Sequence, residues 1–386
     1  MNITFLLGNG FDIQCGLKTG YSDFYQYILN KKYSVNLSEK YSEQVQSTIN
    51  NLIYAEIYKD KNIPETWADL ELQLGQYTSK LKSELTADNN AEKVIEKFFE
   101  DYEELVEDLN NYLDFIQIPS DNSIEDCSDI LFTTLDKFFE GLLGKEHLEV
   151  LNKLKNNINN EFRYNFISFN YTNTLQKILD SCSDRSKKNN FNGYNNLQTV
   201  DMDIVNIHGK IDSFLTLGVN DSSQVASDFF NDDDLSDLIK PKSLELDRGF
   251  SKQNAELEIS RSDIIVIFGL SLGSTDKYWW EQVARSLIAN GNRKLIIHIH
   301  EPTSSNVVAR KVRIRRKSKE NMFISHLEAL GLSDEDIVQL RKQIYIITNS
   351  EYIFNVDLSK YLPQRVNIDN IVDFDVKNDE LVDTAN

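Results

Sequence analysis

Short runs of apolar residues recur along the chain and predict the strands of a sheet that is buried on both faces. The runs are continuous rather than alternating, and helical stretches separate them, which is typical of parallel strands covered by helices. The predicted strands are NITFLL, YNFISF, DIVNI, FLTLGV, SDIIVIF, KLIIHIH and QIYIIT. The pattern therefore predicts an α/β fold with a mostly parallel sheet.

A long segment between the first two predicted strands has almost no strand pattern. Its apolar residues repeat at the helical period in two sets: Trp67, Leu70, Leu74, Tyr77 and Leu81, then Tyr102, Leu105, Val106, Leu109, Tyr112 and Leu113. This predicts a large helical insertion after the first strand. The predicted organisation is a first strand with a glycine-rich turn (1–35), the helical insertion (36–160), the remainder of the α/β core (161–360) and an acidic C-terminal tail (361–386).

Two polar stretches in the second half of the chain are predicted to be surface connections. Residues 183–196, SDRSKKNNFNGYNN, are rich in turn-forming residues. Residues 231–237, NDDDLSD, form an acidic loop or the start of a helix.

Composition limits the classes of partner and compartment. The formal net charge of −20 over 386 residues argues against an extended surface that binds the nucleic acid backbone. Cys15, Cys127 and Cys182 form no CxxC pair, so the sequence predicts neither a zinc ribbon nor a disulfide framework. The opening apolar run is too short for a signal peptide, and no run is long enough for a membrane span. We therefore expect a soluble cytoplasmic protein.

Polar or glycine-rich segments follow four of the predicted strands directly. They are Gly8-Asn9-Gly10, Asn170-Tyr171-Thr172, His208-Gly209 and Gly269-Leu270-Ser271. Residues just past the ends of parallel strands line the edge where open α/β sheets bind ligands. The sequence therefore predicts that these segments meet at one site.

The Gly8-Asn9-Gly10 turn has little side-chain bulk, so its backbone N–H groups are candidates to bind a phosphate of a nucleotide. The alternative is a plain tight turn, because Ile13 stands where a dinucleotide-binding motif has its third glycine. A carboxylate at Asp12 would repel a phosphate, so a ribose hydroxyl or a free helix N–H is its expected partner.

His208 is the candidate general base, because an imidazole followed by glycine is predicted at the rim of this edge. Asn170 is a candidate to position water or ribose, and the alternative is an Asx turn. Glu71 lies at the border of an apolar helix face and points either to water or into a cleft. Asp276 is either a site residue or a helix N-terminal charge. The histidines show no metal-binding spacing.

The stretch ARKVRIRRKSK (309–319) places seven basic residues in an otherwise acidic chain. It is a candidate surface for a phosphate-rich partner or for another subunit's acidic face. The alternative is a solvated helix or loop.

Several motifs together resemble the AbiH family of bacterial phage abortive-infection proteins. In order along residues 3 to 280 they are LLGNGFDIQCGLKTGYSDF, WADLELQL, FISFNYTNTLQKIL, NIHGK with LTLGV, and IFGLSLGSTDKYWW. The resemblance implies defence against bacteriophage by stopping the infected cell. It does not state a chemistry.

The same order of motifs is more distantly similar to sirtuin-like domains, including NAD-hydrolysing ones of other defence systems. That similarity implies phosphate binding at Gly8 and Gly10, water or ribose positioning by Asn170 and a catalytic base at His208. Thr172 stands where the sirtuin pattern has an acid. The chain also lacks the four-cysteine zinc ribbon, which argues against protein deacylation.

The leading hypothesis is a Rossmann-like, sirtuin-like core that binds NAD or a related nucleotide and hydrolyses its nicotinamide N-glycosidic bond on infection. His208 and Asn170 are the predicted catalytic residues. The predicted nucleotide-binding residues are Gly8, Asn9, Gly10, Asp12, Glu71, Thr172, Gly269, Ser271 and Asp276. The alternatives are a nucleotide-binding sensor without turnover, which contacts a phage or host protein, and a nuclease-type toxin. Homo-oligomerisation is also expected.

Overall fold

The computed structural model describes residues 1–37, 40–60, 67–85, 90–157, 161–190, 195–211, 213–245, 250–300, 309–348, 350 and 353–363. Its strands are β1 (Asn2–Leu7), β2 (Glu161–Ser168), β3 (Ser186–Asn190), β4 (Asn195–Val200), β5 (Val205–Asn206), β6 (Ile264–Phe268), β7 (Lys294–Ile299) and β8 (Ile344–Thr348). Its helices are α1 (Asn9–Gln14), α2 (Tyr21–Tyr33), α3 (Glu43–Gln46), α4 (Leu52–Asp60), α5 (Trp67–Ser83), α6 (Ala91–Ile116), α7 (Ser128–Lys137), α8 (Gly144–Lys155), α9 (Thr174–Ser181), α10 (Asp232–Leu238), α11 (Lys240–Ser243), α12 (Ser251–Arg261), α13 (Lys277–Ala289), α14 (Ala309–Ser325) and α15 (Asp334–Arg341).

The described strands form one mostly parallel sheet in the order β3-β4-β2-β1-β6-β7-β8, with β5 beside the end of β2. Only the β3–β4 pair within it is antiparallel. The central strand β1 pairs with β2 on one side and with β6 on the other. The prediction of a mixed α/β fold with a mostly parallel sheet is confirmed.

The apolar runs are continuous because both faces of the sheet are covered. Ile3, Phe5 and Leu7 of β1 lie in one buried cluster, which includes residues of α7, α8 and α9. Leu6 lies in the cluster on the opposite face, which includes residues of α12 and α13. Period-two side-chain alternation therefore places apolar groups on both faces.

The helical segment after β1 has a buried core of its own. Residues of α2, α4, α5 and α6 pack together with residues from the later segment 211–239. Helices α7 and α8, which fall within the predicted insertion range, pack on the sheet instead. A large helical insertion follows β1, and the exact domain boundaries stay a prediction.

Two sequence expectations about local structure are wrong. FLTLGV is not a strand; apart from a single bridge between Val219 and Ile239, it is irregular. Its buried residues Leu217 and Val219 belong to the core of the helical insertion, which explains the apolar pattern. The polar stretch 183–196 is not merely a connection, because it carries most of the β3–β4 hairpin at the edge of the sheet.

The acidic stretch NDDDLSD begins helix α10, whose first turn is capped by the Asn231 side chain. Most of the predicted acidic tail, residues 364–386, lies outside the described residues. None of the described helices is both long enough and apolar enough to cross a membrane.

Candidate functional site

Four strands end side by side at one edge of the sheet, and the predicted site residues follow them. Strands β5, β2, β1 and β6 are parallel neighbours in that order. His208, Asn170, Gly8 and Gly269 come just after their ends. The structure therefore brings the four strand-end segments to the same edge, and Ser271 is exposed there.

The two glycine turns at this edge contact each other directly. The Gly8 N–H donates to the Phe268 carbonyl at 3.0 Å, and the Gly10 N–H donates to the Gly269 carbonyl at 2.9 Å. A Cβ at Gly10 would lie 2.7 Å from the Gly269 Cα. The close approach of two backbones explains the glycines, and these two N–H groups already have carbonyl acceptors where a phosphate was predicted.

Gly269→Ala is expected to lower the free energy of unfolding by about 3 kcal/mol. Gly269 has a φ of +72°, and an added Cβ would lie 2.5 Å from the Phe11 nitrogen. Gly331→Ala is the matched control, because Gly331 has a φ of +59° but nothing within 4 Å of an added Cβ. Urea unfolding should therefore show only about 1 kcal/mol lost in the control. Equal losses would contradict the close approach.

Asn170 connects the end of β2 to the first glycine turn by a hydrogen bond. Its side-chain amide donates to the Gly8 carbonyl at 3.1 Å, and the residue is 7% exposed. Its backbone N–H takes the Ser168 hydroxyl as acceptor at 3.1 Å. Asn170 therefore holds the turn in place, and its role toward water or ribose stays a prediction.

Asp12 lies in a closed polar pocket beside the same turn. It is 1% exposed, and its Oδ2 accepts from the Thr172 hydroxyl at 2.7 Å. The Thr172 and Thr174 hydroxyls are 3.0 Å apart. Asp12 Oδ1 is buried without a hydrogen-bond partner among the described residues. The hydrogen-bond partner of Asp12 is thus a threonine hydroxyl, where the sequence analysis had predicted a ribose hydroxyl or a helix N–H. The sequence analysis did not identify Thr174 as part of this site.

Burial raises the pKa of Asp12 from its ordinary 3.8 to about 7, because a carboxylate loses its hydration there. The Thr172 hydroxyl and, to a smaller extent, the nearby Thr174 and Asn170 side chains oppose this shift. No lysine or arginine is among the groups that shift it. Asp12 is therefore an acid that changes charge near neutral pH.

Four charged or titratable side chains meet where the helical insertion adjoins the sheet edge. We call this group the Lys240 cluster; it consists of Glu71, Lys240, Asp276 and His208. The Lys240 ammonium lies 3.0 and 2.8 Å from the two Glu71 carboxylate oxygens and 2.7 Å from Asp276 Oδ1. His208 Nε2 lies 3.2 Å from the same Asp276 oxygen. The side chains of Lys240 and Glu71 are 3% and 5% exposed.

The charges of this cluster depend on one another. Burial favours the neutral form of Lys240, but Asp276 and then Glu71 hold its pKa above the ordinary range. Burial also acts on Asp276, yet Lys240 and then His208 hold the Asp276 pKa below its ordinary range. Burial raises the pKa of Glu71 although Lys240 opposes it. Lys240 thus favours the ionised form of both carboxylates, and at Asp276 this effect, together with that of His208, exceeds the effect of burial.

His208 is buried rather than placed at an open rim, which corrects the sequence expectation. The residue is 5% exposed, and its ring packs edge-on against Phe169 at 5.3 Å and beside Tyr171 at 6.2 Å between centroids. Its Nε2 approaches Asp276 without meeting hydrogen-bond geometry. A small reorientation would create the His–Asp pair that orients many catalytic bases.

Three elements position the cluster. Glu71 lies on α5 and points inward, where its Oε1 also accepts from the Gly218 N–H at 3.3 Å. Asp276 is the last residue before α13. Lys240 begins α11 and was missed by the sequence analysis, because a lysine before a proline has no special pattern.

Two surface depressions are lined by other residues than these. One of about 430 Å³ lies between α6 and the segment 213–215, and one of about 140 Å³ lies between α4 and α5. Within the described ranges, no group of three or more histidine, cysteine or acidic residues could hold a metal ion. The site residues themselves form a closed arrangement, because Asp12, Asn170 and His208 are only 1%, 7% and 5% exposed.

Comparison with protein families identifies the chain. A family model described as bacteriophage abortive infection AbiH matches residues 4–299. The chain belongs to the AbiH family. The match runs from β1 to the end of β7, so it includes both glycine turns, Asp12 and the Lys240 cluster of this AbiH protein. It stops before the basic helix α14.

Family membership indicates a role in abortive infection by bacteriophage. No curated protein and no solved structure matches this AbiH chain. The similarity to sirtuin-like domains, NAD binding and the catalytic roles of His208 and Asn170 stay predictions.

Proposed function

We propose that this AbiH protein acts in phage defence by binding NAD or a related nucleotide at the carboxyl edge of its sheet and hydrolysing the nicotinamide N-glycosidic bond. The observation that carries the proposal is that Gly8, Asn170 and His208 lie just after the ends of adjacent parallel strands, with Asp276 Oδ1 3.2 Å from His208 Nε2. Nucleotides bind at this edge in open α/β sheets.

The strand order supports a Rossmann-like, sirtuin-like core. The parallel strands run β4-β2-β1-β6-β7-β8 across the sheet, so chain order reverses between β1 and β6. Doubly wound sheets bind their ligands at such a reversal. Both glycine turns lie there, one after β1 and the other after β6. This support rests on fold analogy, and the chemistry must come from the side chains.

The proposed reaction breaks the C1′–N bond of the nicotinamide riboside and forms a C1′–O bond to water. Positive charge develops on the ribose as nicotinamide leaves as a neutral molecule with the bonding electron pair. His208 takes the proton from the attacking water, and the ionised Asp276 stabilises the resulting imidazolium. Asn170 lies one strand away and is the predicted contact to the ribose.

The alternative function, a nucleotide sensor without turnover, is favoured by one observation. Asp12, Asn170 and His208 are only 1%, 7% and 5% exposed. A nucleotide that reaches them must displace parts of the surrounding structure, and α5 of the helical insertion contributes Glu71 to the closure. Ligand-driven displacement of α5 would by itself be a suitable signal.

An assay on the purified protein distinguishes the two functions directly. NAD is added with and without extract from phage-infected cells, nicotinamide release is followed by chromatography, and NAD binding is measured by calorimetry. Binding with nicotinamide release supports the hydrolase. Binding without release under both conditions supports the sensor, and the absence of binding under both conditions refutes the two functions together.

We also infer that the basic helix α14 contacts an acidic protein surface, such as that of a second copy of this chain. Arg310, Lys311 and Arg313 are exposed on it, while Arg316 already pairs with Glu146. The net charge of −20 means that other copies offer an acidic surface.

Reversing the charge of Arg310, Lys311 and Arg313 to glutamate is expected to reduce assembly size or cellular protection against phage while leaving NAD binding unchanged. The control reverses the exposed Lys93, Lys145 and Lys188, which gives the same net charge. Light scattering and a phage plating assay are the measurements. Loss of NAD binding in the α14 variant would instead assign the helix to the nucleotide site.

A further inference from the structure

Lys240 connects the helical insertion to the His208–Asp276 pair, and no sequence motif indicated it. We propose that Lys240 is a positioning residue: it fixes the Asp276 carboxylate in the place from which that carboxylate orients the His208 imidazole. The catalytic part of this inference rests on the proposed hydrolysis. The geometric part stands on the described contacts alone.

The hydrogen bonds of Lys240 are fully used in this arrangement. An ammonium has three N–H donors, and Lys240 has three acceptor oxygens within 3.0 Å, two on Glu71 and one on Asp276. The Asp276 oxygen is the one that lies 3.2 Å from His208 Nε2. Moving Lys240 would therefore move the oxygen that faces the imidazole.

Glu71 holds Lys240 from a different element of the fold than Asp276 does. Its bidentate contact comes from α5, whereas Asp276 comes from the turn before α13. The ammonium thus lies between two carboxylates at a site that is almost closed to solvent. Lys240→Met alone would leave both carboxylates without their cation, which is strongly destabilising in a buried place. A test needs a variant that removes one charge of each sign.

The charge-balanced variant Lys240→Met/Glu71→Gln removes the cation and one carboxylate together. Glu71→Gln alone is the matched control, because its amide oxygen still accepts from Lys240 and the Lys240–Asp276 contact remains. We expect the double variant to fold, and to lower kcat for nicotinamide release on the order of 100-fold with little change in KM. The reference for this loss is Glu71→Gln itself, so any effect of removing the Glu71 carboxylate is common to both variants and cancels in the comparison.

The second readout is the imidazole ¹⁵N spectrum of His208, which requires no NAD cleavage. The signals are assigned by their disappearance in His208→Gln. We expect wild type and Glu71→Gln to share one spectrum and the double variant to differ, because Asp276 is no longer held against the ring. Lys240→Gln/Glu71→Gln replaces the methionine variant if that variant does not fold.

Each outcome decides the inference. If the double variant and Glu71→Gln share both the His208 spectrum and kcat, Lys240 does not position the pair and the inference is refuted. If wild type releases no nicotinamide, only the proposed hydrolysis is refuted. The His208 spectrum then still tests whether Lys240 fixes the Asp276 carboxylate beside the imidazole.

Discussion

Replacing His208 by glutamine is expected to lower the rate of nicotinamide release by about 10²- to 10⁴-fold, which is the usual contribution of a positioned general base. Glutamine is the right substitute because His208 is 5% exposed and packs against Phe169 and Tyr171. Alanine would leave a cavity there and mix a stability effect with the catalytic one. The affinity for NAD, measured by calorimetry, should change little.

His147→Gln is the matched control for this experiment. His147 lies on α8 with its ring 5.2 Å from that of Phe139, a residue of the cluster on one face of the sheet. Its replacement should leave nicotinamide release unchanged. If His208→Gln hydrolyses NAD as fast as wild type, His208 is not the base, and Glu71 and Asp12 become the next candidates.

Asp12 is expected to make the protein less stable as pH rises. The native state keeps a proton on Asp12 up to about pH 7, whereas the unfolded chain releases it near 3.8. The native state therefore binds more protons than the unfolded state between these values. Rising pH through this window should lower the free energy of unfolding by about 4 kcal/mol from this group.

Asp12→Asn removes this pH dependence. Its amide oxygen can still accept from Thr172, so the variant should be more stable than wild type above pH 7 and similar to it near pH 4. Urea unfolding of both proteins from pH 4 to pH 8 measures the difference. Asp129→Asn, at an exposed position, is the control. Parallel stability curves for wild type and Asp12→Asn would contradict the buried acid.

Most of the sheet follows from the sequence because its strands are apolar on both sides. β6 is IIVIF with every residue buried, and such a run has few other places in a folded domain. The β3–β4 pair was missed because β3 (SKKNN) is a polar edge strand and its neighbour β4 (NNLQTV) has few apolar residues. Polar side chains do not reveal the backbone hydrogen bonds that join the two strands. FLTLGV was wrongly predicted to be a strand, because a run of apolar residues looks the same whether it is buried in a sheet or against helices.

Only the part of the site that lies at strand ends could be predicted from the sequence. Parallel topology is enough to bring Gly8, Asn170 and His208 to one edge. The Lys240 cluster needs contacts between residues that are far apart, since Glu71 and Lys240 are 169 positions apart in the chain. Burial of His208 likewise depends on Phe169, Tyr171 and the turn before α13, which no local pattern around His208 describes.

The position of β1 has a consequence for synthesis on the ribosome. β1 leaves the ribosome before both of its partner strands, since Asn2 pairs with Arg163 and Ile3 with Ile264. At ordinary translation rates the last of these partners appears on the order of tens of seconds later. Until then an apolar, uncharged strand has both edges free, which favours aggregation or chaperone binding. A chain that stops before β6 would therefore expose the centre of the sheet, so premature termination should yield insoluble or degraded product.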